Sequence, residues 1–89
     1  MSRSKAIAYQ NINRYIQLGL NIAYFRKLRG LTQEQLAEKT GISRSYLSAV
    51  EAPNIIKTVS LELLFEISDA LCVAPHRLLE FRETGQELL

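Results

Sequence analysis

Gln33-Glu34-Gln35-Leu36-Ala37-Glu38-Lys39-Thr40-Gly41-Ile42-Ser43-Arg44-Ser45-Tyr46-Leu47-Ser48-Ala49-Val50-Glu51 reads as two short helices joined by a tight turn. Two helices crossing steeply over such a turn need a small residue where their backbones approach, and Ala37 supplies it. The turn needs a residue free to take the left-handed conformation, and Gly41 supplies that. Leu36, Ile42, Leu47 and Val50 then seal the pair against the remaining core. Thr32 stands in front of the first helix with Gln35 three residues on, the spacing of a capping box. Ser43 caps the second.

The outward side of the second helix has the opposite character. Arg44, Ser45, Ser48 and Ala49 share one face and are small or polar. A helix that enters a major groove about 12 Å wide needs such a slim, hydrogen-bonding face. Arg44 in a first helical turn opposes the helix dipole, which points to a task outside the domain rather than to helix stability. Tyr46 is open between stacking on a DNA sugar and packing against the first helix.

Working outward, the periodicity stays helical, and no stretch alternates as a strand would. Ile12, Tyr15, Ile16, Gly19, Ile22, Ala23 and Arg26 form one stripe on a long first helix, with Asn11 or Asn13 as its cap and Gly30 at its end. Ala52-Pro53-Asn54 breaks the third helix and opens a loop over 52–59. Ser60 caps a fourth helix carrying Leu61, Leu64, Phe65, Ile67 and Leu71. Val73-Ala74-Pro75 marks a turn into a fifth helix with Leu78, Leu79 and Phe81, Pro75 being suited to the first helical position. The expected fold is all-α, one compact five-helix domain. Residues 1–17 are expected to be an N-terminal extension, as an arm or as part of the first helix. Residues 18–82 are the domain itself, and 83–89 a tail.

Five elements in this order resemble the Cro/CI-type (XRE) family of phage and bacterial repressors, which share the lambda-repressor-like fold. The likeness runs from Leu18-Gly19, Ile22 and Phe25-Arg26, through the helix pair, to Ser60-Leu61-Glu62, Ala70-Leu71, Val73 and Leu79. The resemblance implies a role for each matching position. Ser43, Arg44, Ser45, Ser48 and Ala49 would face the bases or the adjoining backbone, with Arg44 the main base reader. Its guanidinium can bind O6 and N7 of one guanine together. Gln33, Asn54 and Lys57 would hold phosphates. Arg26 and Glu51 would form an internal ion pair tying the first helix to the end of the third. In place of the short glycine-containing loop of many relatives, this chain has Ala52-Pro53-Asn54 followed by Ile55-Ile56. A larger aliphatic residue is also usual at the position of Thr40.

Composition agrees with a small DNA-binding domain. Residues 1–57 hold nine Lys or Arg against three acids, whereas 58–89 hold two against six. A basic half suits a polyanionic partner. One cysteine, Cys72, excludes an internal disulfide, and with one histidine it makes no zinc site. Cys72 is expected in the core and His76 on the surface. No nucleophile–base set, phosphate-cradling glycine loop or membrane-length apolar run is present, so no enzymatic activity, cofactor, metal or small-molecule substrate is expected.

These readings converge on a cytoplasmic, sequence-specific double-stranded DNA-binding regulator, a repressor acting as a homodimer on an inverted repeat. Leu78, Leu79, Phe81 and Leu88-Leu89 are the expected dimer surface. Arg3 and Lys5 belong to a tail or to an arm around the duplex. Two other readings involve protein partners. One is an antitoxin that binds a toxin and represses its own operon. The other is a helix-turn-helix kept only for protein association, to which the exposed Ile55-Ile56 would contribute.

Overall fold

Ile22, Leu36, Leu47, Ile67, Leu71 and Leu78 are fully buried, and each of five helices contributes at least one of them. The computed structural model describes residues 6–82. A 3-10 turn at Tyr9–Asn11 leads directly into α1 (Ile12–Leu28), followed by α2 (Gln33–Thr40), α3 (Arg44–Glu51), α4 (Leu61–Leu71) and α5 (Pro75–Leu78). Among the described residues there is no strand. The Arg3, Lys5 and Leu88-Leu89 expectations lie outside the described residues.

The caps follow from local chemistry. Thr32 and Gln35 form the reciprocal capping box at the start of α2. Ser43 and Ser60 each accept a backbone N–H three residues on, from Tyr46 and Leu63, and so open α3 and α4. Gly41 ends α2 at φ +75°, where a side chain would be strained, and this lets the chain turn at once into α3. The start of α1 differs from those of α2, α3 and α4. Asn11 makes no capping hydrogen bond, and its side chain accepts from Arg14 instead. The preceding 3-10 turn carries the chain into α1.

α1 packs on α3, α2 packs on both α3 and α4, and α5 packs on α4 and α1, so all five helices surround one core. Its tightest point is the crossing of α1 and α3. Gly19 is buried in α1, and a Cβ placed there would stand 2.0 Å from the backbone oxygen of Val50. The absent side chain is what allows the two helices to touch backbone to backbone. Thr40 is buried at the end of α2, and its hydroxyl donates within its own helix toward the carbonyls of Leu36 and Ala37. A hydroxyl that has its partner can replace an aliphatic group there without leaving a polar atom unsatisfied.

Several expectations require correction. Cys72 is exposed rather than in the core, because it terminates α4 in the left-handed conformation at φ +58°. Of the apolar residues that the fourth helix carries, Leu61 and Phe65 are 66% and 46% exposed. The buried side of α4 is Leu64, Ile67, Ser68 and Leu71, with the Ser68 hydroxyl satisfied by the Phe65 carbonyl. The fifth helix is a single turn, so Leu79 and Phe81 lie beyond it. Leu78 is fully buried and cannot belong to a dimer surface.

Candidate nucleic-acid interface

On α3 the buried residues are Leu47, Val50 and Glu51, with Tyr46 half-buried beside them. At about 100° per residue, this leaves positions 44, 45, 48 and 49 contiguous on the opposite side. Ser43, Arg44, Ser45 and Ser48 are exposed there, and Ala49 is half-buried at the edge. The surface is therefore low and carries hydroxyl groups, with one long cationic side chain at its N-terminal end. Arg44 makes no ion pair with any described residue. The Ser43 hydroxyl oxygen accepts the Tyr46 N–H as a cap, which leaves its O–H to donate outward.

The floor beneath this face is ionic. Nε of Arg26 donates to Oε2 of Glu51 at 2.8 Å and Nη2 to Oε1 at 2.9 Å, a bidentate pair whose side chains are 9% and 5% exposed. Nη1 of Arg26 donates to the carbonyl of Leu31 in the turn before α2. Nε2 of Gln33 donates to the same Oε1 of Glu51 at 2.9 Å. One carboxylate thus joins α1, the start of α2 and the end of α3. Among the described residues no buried side-chain nitrogen or oxygen lacks a partner. A bidentate pair with every polar atom satisfied is the arrangement in which a buried ion pair is tolerated.

Gln33 and Arg44 line one cleft of about 470 Å³ together with Arg26, Thr32 and Glu34. The first N–H groups of α2, at Gln33 and Glu34, have no acceptor within the helix and give this cleft a positive end. After the C-terminal end of α3, Asn54 and Lys57 are exposed in the loop over 52–59. Tyr46 is half-buried against the core, and its hydroxyl donates to the carbonyl of Thr58 and so ties that loop to α3. Burial pushes the Tyr46 hydroxyl above its ordinary pKa. Sequence reasoning missed both the Gln33–Glu51 and the Tyr46–Thr58 contacts. Each joins groups whose meeting depends on the tertiary fold rather than on helical spacing.

The helix-turn-helix family pattern matches residues 22–77, from within α1 to α5. The chain belongs to the helix-turn-helix family. Within it, the chain is 38% identical over 63 residues to the HTH-type transcriptional regulator SinR of Bacillus subtilis (strain 168), covering 71% of this chain and 56% of SinR. It therefore spans little more than half of that relative. The crystal structure of SinR in complex with DNA superimposes with a TM-score of 0.65 at 38% identity, over 71% of this chain and 98% of that one. The hypothetical transcription factor NHTF from Neisseria matches over 100% of this chain and 98% of its own, with a TM-score of 0.70 at 28% identity. Within this family pattern α2 and α3 are the two helices of the motif. Among the described residues no three His, Cys, Asp or Glu side chains group around a metal position. No helix there is long and apolar enough to cross a membrane.

Proposed function

We propose that this helix-turn-helix protein is a sequence-specific double-stranded DNA-binding transcriptional regulator, a repressor acting in the cytoplasm as a homodimer on an inverted repeat. The observation that carries the reading is the outer face of α3. It is slim and hydroxyl-bearing, with an uncommitted Arg44 at the end that would enter the groove, and its helix pair matches that of a relative solved with DNA. In this reading residues 18–82 are the binding unit. Arg44 reads a guanine, while Ser43, Ser45, Ser48 and Ala49 line the groove. Gln33 holds a phosphate at the start of α2, and Asn54 and Lys57 hold one after the C-terminal end of α3.

A single recognition helix contacts only a few base pairs, so two copies are needed for a site of useful affinity. The surface that supports the dimer differs from the one expected from sequence. Leu61 and Leu79 are exposed and Phe81 is half-buried, and together they line an apolar groove of about 240 Å³ with Tyr15 and Val59. Sedimentation of the wild-type chain and of Leu79→Glu, combined with selection of bound duplexes from a random pool, tests the reading. The expected result is a dimer and a two-fold symmetric motif for wild type, and a monomer with weakened binding for the variant. A wild-type monomer that enriches only an asymmetric half-site would contradict the homodimer.

One observation favours a protein partner in addition to DNA. Leu20, Tyr24 and Leu28 are all exposed along the outer side of α1, and a SinR–SinI protein complex is among the similar structures. This supports a regulatory protein partner in addition to DNA.

A further inference from the structure

Gln33 is the first residue of α2, where the proposed function places a phosphate contact, yet its side chain already has a partner inside the domain. Nε2 donates to Oε1 of Glu51 at 2.9 Å, and the Gln33 residue is half-buried. Glu51 is itself fixed, with both oxygens engaged by Arg26 and a side chain only 5% exposed. A carboxylate can only accept hydrogen bonds, so it determines which end of the carboxamide turns inward. The nitrogen faces Glu51 with one hydrogen. The second N–H and the carboxamide oxygen are left for the cleft that Gln33 shares with Thr32, Glu34 and Arg44.

We propose that Glu51 is a positioning residue for DNA binding, which acts by holding Gln33 with one N–H directed at the phosphate backbone. The inference rests on the phosphate-binding reading of Gln33. Glutamine has three rotatable side-chain bonds, and ordering them at association weakens binding. A side chain ordered beforehand avoids that loss. The Arg26–Glu51 pair therefore has two consequences. It joins α1 to α3, and through Gln33 it sets the phosphate grip at the start of α2. The second consequence is specific to a chain that has an amide donor at position 33 and a buried acceptor at position 51.

The test compares binding of a pool-selected duplex across a salt series for the wild-type chain, Gln33→Ala, the pair replacement Arg26→Leu with Glu51→Met, and that replacement combined with Gln33→Ala. Replacing both members of a buried pair by apolar residues of similar volume commonly preserves a fold, and circular dichroism checks it here. In the wild-type background, Gln33→Ala should weaken binding by roughly 3–10-fold at every salt concentration and leave the salt slope unchanged, because a neutral amide that donates to a phosphate displaces no counterion. In the pair-replaced background Gln33→Ala should leave affinity unchanged. Equal losses in both backgrounds would overturn the positioning role while leaving the phosphate contact intact. Absence of salt-dependent duplex binding by wild type would instead overturn the DNA-binding reading itself. If the replaced pair does not fold, the side-chain amide protons of Gln33 in the wild-type protein decide. One of them should exchange with solvent far more slowly than those of exposed Gln10, and equally fast exchange would overturn the proposal.

Discussion

Gly19 lies so close beneath Val50 that a methyl group on it would overlap the Val50 carbonyl oxygen at 2.0 Å. The obstacle is backbone, so no rotamer change relieves it, and α1 and α3 would have to separate. Gly19→Ala tests this directly. In an open helix the substitution gains up to ~1 kcal/mol from helix propensity. Here overpacking should outweigh that gain, with a cost at or above the upper end of the roughly 1–3 kcal/mol usual for such insertions. Urea denaturation should show a lower midpoint with an unchanged slope. An unchanged or raised midpoint would mean that the helices are not in backbone contact.

The Arg26–Glu51 pair predicts an asymmetry between single and paired substitutions. Arg26→Ala strands a buried carboxylate and should destabilise the domain by about 3–5 kcal/mol, a large share of the total for a chain of this size. Arg26→Leu with Glu51→Met should recover most of that loss. Both are measured by thermal or denaturant unfolding. Similar, small losses for the single and the paired variants would indicate that the pair is solvated rather than buried.

Much of this fold was legible in the sequence because the responsible interactions are local. Thr32 with Gln35, Ser43, Ser60 and Gly41 act within one turn of where they stand, so their spacing suffices. What periodicity cannot supply is the neighbour that covers a given apolar face. Leu61 and Phe65 belong by spacing to a helical stripe, yet both stay exposed, while Leu78 is sealed completely. Gly19 was legible as a member of the α1 stripe, but its close approach to Val50 depends on a crossing between helices distant in sequence. Cys72 was misplaced for a related reason. Glycine usually takes the left-handed position after a helix, and nothing local shows that a cysteine takes it here. In the candidate site, the outward face of α3 was legible from spacing, whereas the contacts of Gln33 and Tyr46 were not.

Tyr46 gives the domain a dependence on high pH. Burial raises the pKa of its hydroxyl, which also donates to the Thr58 carbonyl. In the unfolded chain the group ionises near its ordinary value of about 10. The unfolded state therefore loses this proton at lower pH than the folded state. The stability linked to Tyr46 is fully present below about pH 10 and is lost as pH rises through the raised folded value. Tyr46→Phe should remove this component, so the difference in unfolding free energy between the two proteins should shrink above pH 10. A difference that stays constant from pH 8 to 11 would contradict the partly buried, donating hydroxyl. The same variant frees the loop bearing Asn54 and Lys57, and it should weaken duplex binding at neutral pH without altering base preference.

The central claim is that α3 reads bases through Arg44 while its surroundings hold phosphates. Selection of bound duplexes from a random pool, run at fixed salt with wild type, Arg44→Ala and Lys57→Ala, tests that division most directly. Arg44→Ala should erase the preference at one base position in each half-site, a loss of about 1–3 kcal/mol of discrimination there. Lys57→Ala should return the wild-type motif with weaker binding to every sequence and a salt slope lower by about one. The account is contradicted if no motif is enriched, or if both variants lose affinity equally on every sequence.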